Sequence, residues 1–464
     1  MPVQHIYSIL ETLKMTIVRK YRLYPNMQQQ EAILQTCGCC RVVYNTCLTT
    51  YNNNYQKWID NGKQPGQFDS TLPTAKEIQL DGRPWMKQAD ALALSCSRMN
   101  FINALNAFFS SKNGKRKGHK VGFPRLKTRR NSKFSYQTSN QGGNIRFNDD
   151  NTQIKLPKLG WVDVIYHRPL PDNGTIKRVT VSMTNAGEYY VSLNIECSKQ
   201  PPLLNKYNKV SNPDVVGLDM SLPNFCVSSD SSDDTIIKYQ HNYRKEEQHL
   251  KKLQHLLSRK THYKKVMVDG VEKKVETVNY KKARRRVARI HAKIARRRED
   301  YVIKLALYFV RKYDVVSIED LDMQAMSRSL RLGKSVMDLG WGKFVGWLEK
   351  EGEKYDTYIH KVDKWYASSK TCHECGSKNV ELRLCDRKWV CPVCGCEIGR
   401  DRNASLNIRD KFTQDFHGDC GVLEQKRACG ETASTLRETF RQVFSVKQEN
   451  SFSHKGREAA KSLV

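Results

Sequence analysis

Four cysteines set the strictest condition on how this chain can fold. Cys372, Cys375, Cys391 and Cys394 stand as C-x2-C-x15-C-x2-C, two tight pairs that each present two thiolates from one turn. Such an arrangement suits the tetrahedral thiolate shell of Zn2+ better than a pair of disulfides. Gly376 and Gly395 follow the second cysteine of each pair, where such turns take positive φ. Four protein ligands leave no open position, so the zinc expected here is structural. Cys385 and Cys396 lie close by and break the symmetry. The other cysteines of the fifteen read as free thiols of a reducing compartment, so the expected location is cytoplasmic. Seven residues beyond Cys394 stands Asp401, an acid lodged between arginines.

Charge narrows the partner. The 464 residues carry 79 Lys plus Arg against 48 Asp plus Glu, a net charge of +31. A field of that sign favours a polyanion, nucleic acid first, over a membrane or a small-molecule substrate. A ribosomal-type or merely soluble basic protein is the plainer alternative. The cations are clustered, however. Residues 112–134 hold Lys115, Arg116, Lys117, Arg125 and Lys127, with Phe123 and Phe134 interleaved, and read as an extended segment that tracks phosphates. Ten Lys or Arg crowd Lys281 to Arg298, among them Arg284, Arg285, Arg286, Arg289, Arg296, Arg297 and Arg298. Solvated loops and faces are the bland readings of both. No run of eighteen apolar residues occurs, and residues 1–14 are too polar for a secretory signal.

Periodicity supplies the framework. A strand from Met15 leads into a helix from about Asn26 to Trp58, with Ile33, Leu34, Val42, Val43 and Leu48 on its apolar face and cysteines in the small positions. A second helix spans about 87–111, with Leu92, Met99, Ile102, Leu105, Phe108 and Phe109 on one side. Alternation of period two over 143–197, with a turn at Asn185-Ala186-Gly187, predicts a small antiparallel unit. Beyond Pro213 the pattern is mixed, with strands at 215–219, 224–230, 235–239, 314–320 and 357–363. A long helical stretch, 242–312, has an interruption at 266–278. Val287, Ile290, Ile294, Tyr301, Leu305 and Tyr308 mark its packed face. Residues 411–464 read as a loosely ordered tail.

Two of the strands close on acids. Asp219 ends VVGLD and Glu319 ends DVVSIED, and ligands of open α/β sheets collect beyond such strand ends. Asp401 opens RDRNASLNIRD, a helix start that the cysteine staple fixes in place. Three converging carboxylates bind Mg2+ or Mn2+, and two such ions hydrolyse phosphodiesters. Asn403 and Arg402 are candidate phosphate-orienting neighbours. Taken singly, each acid is better read as a turn or cap residue, with Asp320 competing with Glu319 as a cap.

The order of KYRLYPN, CRVVYN, NAFF, VGFPRLK, KLPKLGW, VVGLDMS, VSIEDLDMQAM, DLGWGKFVGWLEKE, KVDKWYASSKTCHECG, WVCPVCG and RDRNASLNI resembles the TnpB (OrfB) family of insertion sequences. Those proteins are RNA-guided endonucleases related to Fanzor proteins and compact type V CRISPR effectors. The resemblance implies a multidomain α+β fold: a helical and β-barrel recognition lobe, then a RuvC-like RNase H-fold nuclease domain with an inserted zinc ribbon. The implied bounds are an N-terminal extension at 1–14, the lobe at 15–210, and the nuclease domain at 211–370 with basic helices 242–312. The ribbon follows at 371–396, a final nuclease segment at 397–410 and a flexible tail at 411–464. It implies Asp219, Glu319 and Asp401 as the Mg2+-binding catalytic triad. The implied partners are a guide RNA and double-stranded target DNA, met at the nucleoid of a prokaryotic cell. Lys87, Gln88, Ser95 and Ser97 are candidate readers of a flanking motif. The family commonly has Gly at the place of Ser221 and often an acid at that of Gly399, departures that spare every metal ligand. A guided repressor without cleavage and an RNA-independent transposase are the alternatives.

Overall fold

The computed structural model describes residues 14–428, except 65, 117, 130–133, 199–212, 223, 231–235, 240, 269, 323–324, 327–332 and 384. Two compact units emerge, one from the chain up to 200 together with 262–289, the other from 201–261 together with the chain from 290 onward.

The first unit opens with β1 (Lys14–Tyr24) and α1 (Met27–Asp60). Asn26 starts the helix as expected: its Oδ1 accepts from the Gln29 amide at 2.9 Å while Gln29 Oε1 accepts from the Asn26 amide at 3.0 Å. Ile33, Val43 and Leu48 are buried with Cys37, Cys39, Cys40 and Cys47, so cysteine does fill the small positions; Leu34 is exposed. After α2 (Ala75–Leu80) and a 3-10 turn comes α3 (Ala91–Lys112). Its packed face differs from the expected one. Ala93, Leu94, Ser97, Phe101 and Leu105 are buried, while Met99 and Phe109 face solvent. Ser97 holds the register, because its Oγ donates to the Cys40 carbonyl at 2.6 Å, which also removes it as a reader of nucleic acid.

The strands β2 (Phe134–Ser139), β3 (Arg146–Phe147), β4 (Gln153–Leu156), β5 (Gly160–Ile165), β6 (Thr175–Met183) and β7 (Tyr189–Ser198) join β1 in one antiparallel sheet. Its order is β2-β6-β7-β1-β5-β4-β3. Burial alternates residue by residue along β7, the period-two signal made physical.

The second unit contains a five-stranded sheet. β8 (Val215–Asp219), β9 (Cys226–Ser228) and β10 (Ile236–Ile237) precede α4 (Asn242–Ser258). The expected interruption is a hairpin of β11 (Tyr263–Val268) and β12 (Val271–Glu276), which packs with the first unit. It leads into α5 (Val278–Lys312), whose buried residues are Ile294, Val302, Ala306, Phe309 and Val310. Tyr308, expected on that face, is exposed. β13 (Val315–Glu319), α6 (Gly333–Leu339), α7 (Trp341–Tyr355) and β14 (Tyr358–Val362) follow. The sheet runs β10-β9-β8-β13-β14, with β8, β13 and β14 parallel. β15 (Lys388–Val390) pairs with β16 (Glu397–Gly399), and α8 (Arg400–Ala428) closes the described chain.

That last helix corrects the expected tail. It continues through 411–428, and Phe412 is buried, with its ring against His360 and Tyr358. Residues 429–464 and the extension at 1–13 lie outside the described residues.

Candidate active site and metal centre

β8 and β13 lie side by side in parallel, Leu218 opposite Ile318, so Asp219 and Glu319 leave the sheet at the same edge. That is the edge where ligands of parallel sheets collect. The third acid arrives on α8. This helix crosses the sheet where Gly217 stands: a Cβ there would run into the Ser405 carbonyl and the Arg409 amide. Only glycine permits that approach. Ser317 on β13 is small as well, and its Oγ donates to the Ile408 carbonyl at 2.8 Å. So held, the first turn of α8 carries Asp401.

The electrostatics tie the three together. Burial, then the charges of Glu319 and Asp401, push the Asp219 carboxyl well above its ordinary range, with Arg400 and Arg387 opposing. Burial raises Glu319 too, against a hydrogen bond from Ser368. Ser368 Oγ donates to Glu319 Oε1 at 2.6 Å, Ser221 Oγ to Asp401 Oδ2 at 3.3 Å, and Arg387 Nη1 to Asp401 Oδ1 at 3.4 Å. An all-oxygen donor set that repels itself fits a hard divalent cation.

Among the described residues, the four cysteines are the tighter metal-ligating group, with all sulfurs within 4.8 Å of one another. The three carboxylates do not form so compact a set. Cys372 Sγ lies 3.7 Å from Cys394 Sγ, and Cys375 Sγ lies 3.6 Å from Cys391 Sγ. Four sulfurs at about 2.3 Å from a tetrahedral Zn2+ would stand about 3.8 Å apart. Gly376 and Gly395 have φ of 72° and 74°, and their amides return to the Cys372 and Cys391 carbonyls, each at 2.9 Å. Cys396 Sγ approaches Cys394 at 3.5 Å, outside the compact set, and Cys385 points to Asp386. The local core is small, chiefly Leu382, Trp389 and Ile398. So little apolar mass fits a segment that a metal at the four cysteines would stabilise.

The ribbon's root is gripped by α8. Asn403 Nδ2 donates to the Thr371 and Ser368 carbonyls, Asn407 Nδ2 reaches the same two at 2.7 Å, and Asn403 Oδ1 accepts from the His373 amide. Asn403 is therefore a buried tie between helix and ribbon, and Arg402 donates to the Ser228 and Asp230 carbonyls. Neither is placed to orient a phosphate. Ser368 escaped the sequence reading altogether, since a loop serine carries no signal of its partner.

The candidate phosphate-contacting cations divide. Lys115, Arg116, Arg125, Arg286 and Arg289 are exposed; Lys117 lies outside the described residues. Lys127 is spent on structure, its Nζ 3.6 Å from the Tyr44 ring centre and its backbone bracketed by Asn45. Arg284 pairs with Glu276 at 2.7 Å, Arg285 lies against Gly187, and Arg297 pairs with Glu246 at 3.2 Å. Arg298 is half-buried against Asp338 at 3.2 Å, and Arg296 is exposed on the same helix.

Three family models match the sequence: "Helix-turn-helix domain" over 15–59, "Probable transposase" over 194–330, and "Cas12f1-like, TNB domain" over 341–408. The first of these stretches folds here as β1 and the single helix α1. A Streptomyces pristinaespiralis protein named "Putative RNA-guided DNA endonuclease" is 28% identical over 93% of this chain and 95% of its own length. "Putative RNA-guided DNA endonuclease InsQ" of Escherichia coli (strain K12) is 28% identical over 84% of this chain and 90% of its own. In fold, the chain is similar to the protein of a Cas12f1–sgRNA–target DNA complex, with a TM-score of 0.50 and 13% identity over 85% of this chain and 99% of that one.

Proposed function

We propose that this chain, which matches OrfB-type family models and curated relatives along most of its length, is an RNA-guided DNA endonuclease of the OrfB (TnpB) family of insertion sequences. In this reading a guide RNA derived from the element's end pairs with target DNA, the protein reads a short flanking motif, and a RuvC-like site hydrolyses the phosphodiester. The observation that carries it is the meeting of strand ends: Asp219 and Glu319 on adjacent parallel strands, with Asp401 brought in by a helix that only Gly217 admits.

Asp219, Glu319 and Asp401 hold the catalytic Mg2+ or Mn2+. Bound there, divalent ions supply an activated water and stabilise the leaving 3′-oxygen. Ser368 keeps Glu319 turned toward its neighbours, and Ser221 and Arg387 hold Asp401. The four cysteines hold a structural Zn2+, and the ribbon they staple is the target-binding insert. Exposed cations of α5 and of the segment after α3 contact nucleic-acid phosphates, with charge complementarity to both guide and target.

The test is cleavage. The protein is purified with its copurifying RNA, that RNA is sequenced, and a plasmid library carrying the matching target and randomised flanks is supplied. Cutting that needs Mg2+, is lost on RNase treatment and is lost in Asp219→Ala supports the endonuclease. Binding without cutting would favour a guided repressor, and cutting that survives RNase an RNA-independent transposase.

A further inference from the structure

Trp365 is 82% exposed, the most exposed large apolar side chain among the described residues. An indole left in water forgoes a large burial gain, and one set beside a cation at the mouth of a nucleic-acid site offers a stacking face for a base. The backbone that carries it is ordered by hydrogen bonds. Asp363 Oδ1 accepts from the Trp365 amide at 2.8 Å, the Tyr366 amide returns to the Asp363 carbonyl at 3.0 Å, and the Ser368 amide to the Tyr366 carbonyl at 2.9 Å. Tyr366 anchors the turn from within, with Lys411 Nζ 5.6 Å from its ring centre.

The turn sits at the reactive edge of the sheet. Val362, the last residue of β14, is the register partner of Glu319, and Trp365 follows three residues later. Three residues further on, Ser368 donates to Glu319. Lys364 Nζ lies 5.0 Å from the Trp365 ring centre, so cation and aromatic plane are presented together. An exposed indole with an ammonium over one face matches one component of the substrate: an unpaired base stacked on the other face, next to its phosphate.

Resting on the endonuclease reading, we propose that Trp365 stacks on a base of the unpaired DNA strand as it enters the Asp219–Glu319–Asp401 site, with Lys364 meeting the adjacent phosphate. The indole and the serine that holds Glu319 share one hydrogen-bonded turn. Base and scissile phosphate are therefore registered by the same segment.

Two readouts test this on the full guide-loaded complex. Target DNA carrying 5-iodouracil around the cut region is irradiated, and the crosslinked peptide is identified by mass spectrometry. Single-turnover cleavage is then compared for wild type, Trp365→Ala and Trp365→Tyr, with guide retention and zinc content measured on each preparation. The expected result is a DNA adduct on Trp365 and a loss of about ten-fold or more in rate for Ala. Tyr should keep most of the rate, with guide and zinc unchanged. A wild-type rate for Ala, an adduct to guide RNA alone, or no adduct at Trp365 would overturn the proposal. Failure of the wild-type complex to cut would instead count against the endonuclease reading, while the crosslink still decides this one.

Discussion

Ser368 Oγ donates to Glu319 Oε1 at 2.6 Å, and the carbonyl of the same serine accepts from Asn403 and Asn407 of the helix that carries Asp401. One loop residue therefore couples two acids from separate elements. Ser368→Ala should lower cleavage about ten-fold or more, as expected for a lost hydrogen bond to a charged group. The bond lowers the Glu319 pKa against the effect of burial, so its loss raises that pKa. The acid limb of the rate–pH profile should move to higher pH, and Ser368→Thr should restore both rate and profile. A purely structural role would leave the profile in place.

In the proposed active site, Asp219 sets stability against activity. An unfolded aspartate titrates near 3.9, while burial and the two neighbouring acids raise the folded one well above that range. Its favourable contribution is complete below about pH 4 and is lost as pH rises through the folded value. At neutral pH without divalent ions, Asp219→Asn should therefore raise Tm by about 2–4 °C for each kcal/mol recovered, while abolishing cleavage. Added Mg2+ should raise the wild-type Tm and move that of the variant far less. Thermal scans with and without Mg2+ check both.

Removing the ribbon's metal should be felt at the acids. Cys372→Ser, or a strong chelator, should release one zinc per chain and reduce cleavage, because Asn403 and Asn407 hold the ribbon's root beside Asp401's helix. Cys385→Ser should leave zinc content unchanged, since that thiol stands outside the compact set. Metal analysis beside cleavage rates measures this.

The cations should separate into two kinds. Arg286→Ala with Arg289→Ala should weaken guide RNA binding and flatten the slope of log affinity against log salt by about one for each phosphate no longer neutralised. Arg298→Ala should instead lower Tm, because its guanidinium is committed to buried Asp338. Filter binding across a salt series and a thermal scan distinguish them.

The sequence was most informative where chemistry demanded particular spacing. The cysteine pairs, their glycines and the two strand-end acids all announce themselves locally. Gly217 was legible in principle, since glycine inside an apolar strand signals close approach, but which element approaches is a tertiary fact. The face of α3 was misjudged because Ser97 packs inward on a hydrogen bond, which a hydrophobic count cannot weigh. The extension of α8 past 410 was hidden for the converse reason: Phe412 carries the buried face of Ala404 and Ile408 into a charged stretch that shows little apolar periodicity. Lys127, Arg402 and Asn403 resemble ligand-binding residues in sequence and turn out to tie loops together.

Whether Asp219, Glu319 and Asp401 serve one metal centre is decided by a crystal soaked in Mn2+ and measured at the manganese absorption edge. We expect anomalous density coordinated by oxygens of all three carboxylates. Saturating Mn2+ that leaves any of the three uncoordinated would refute the shared centre.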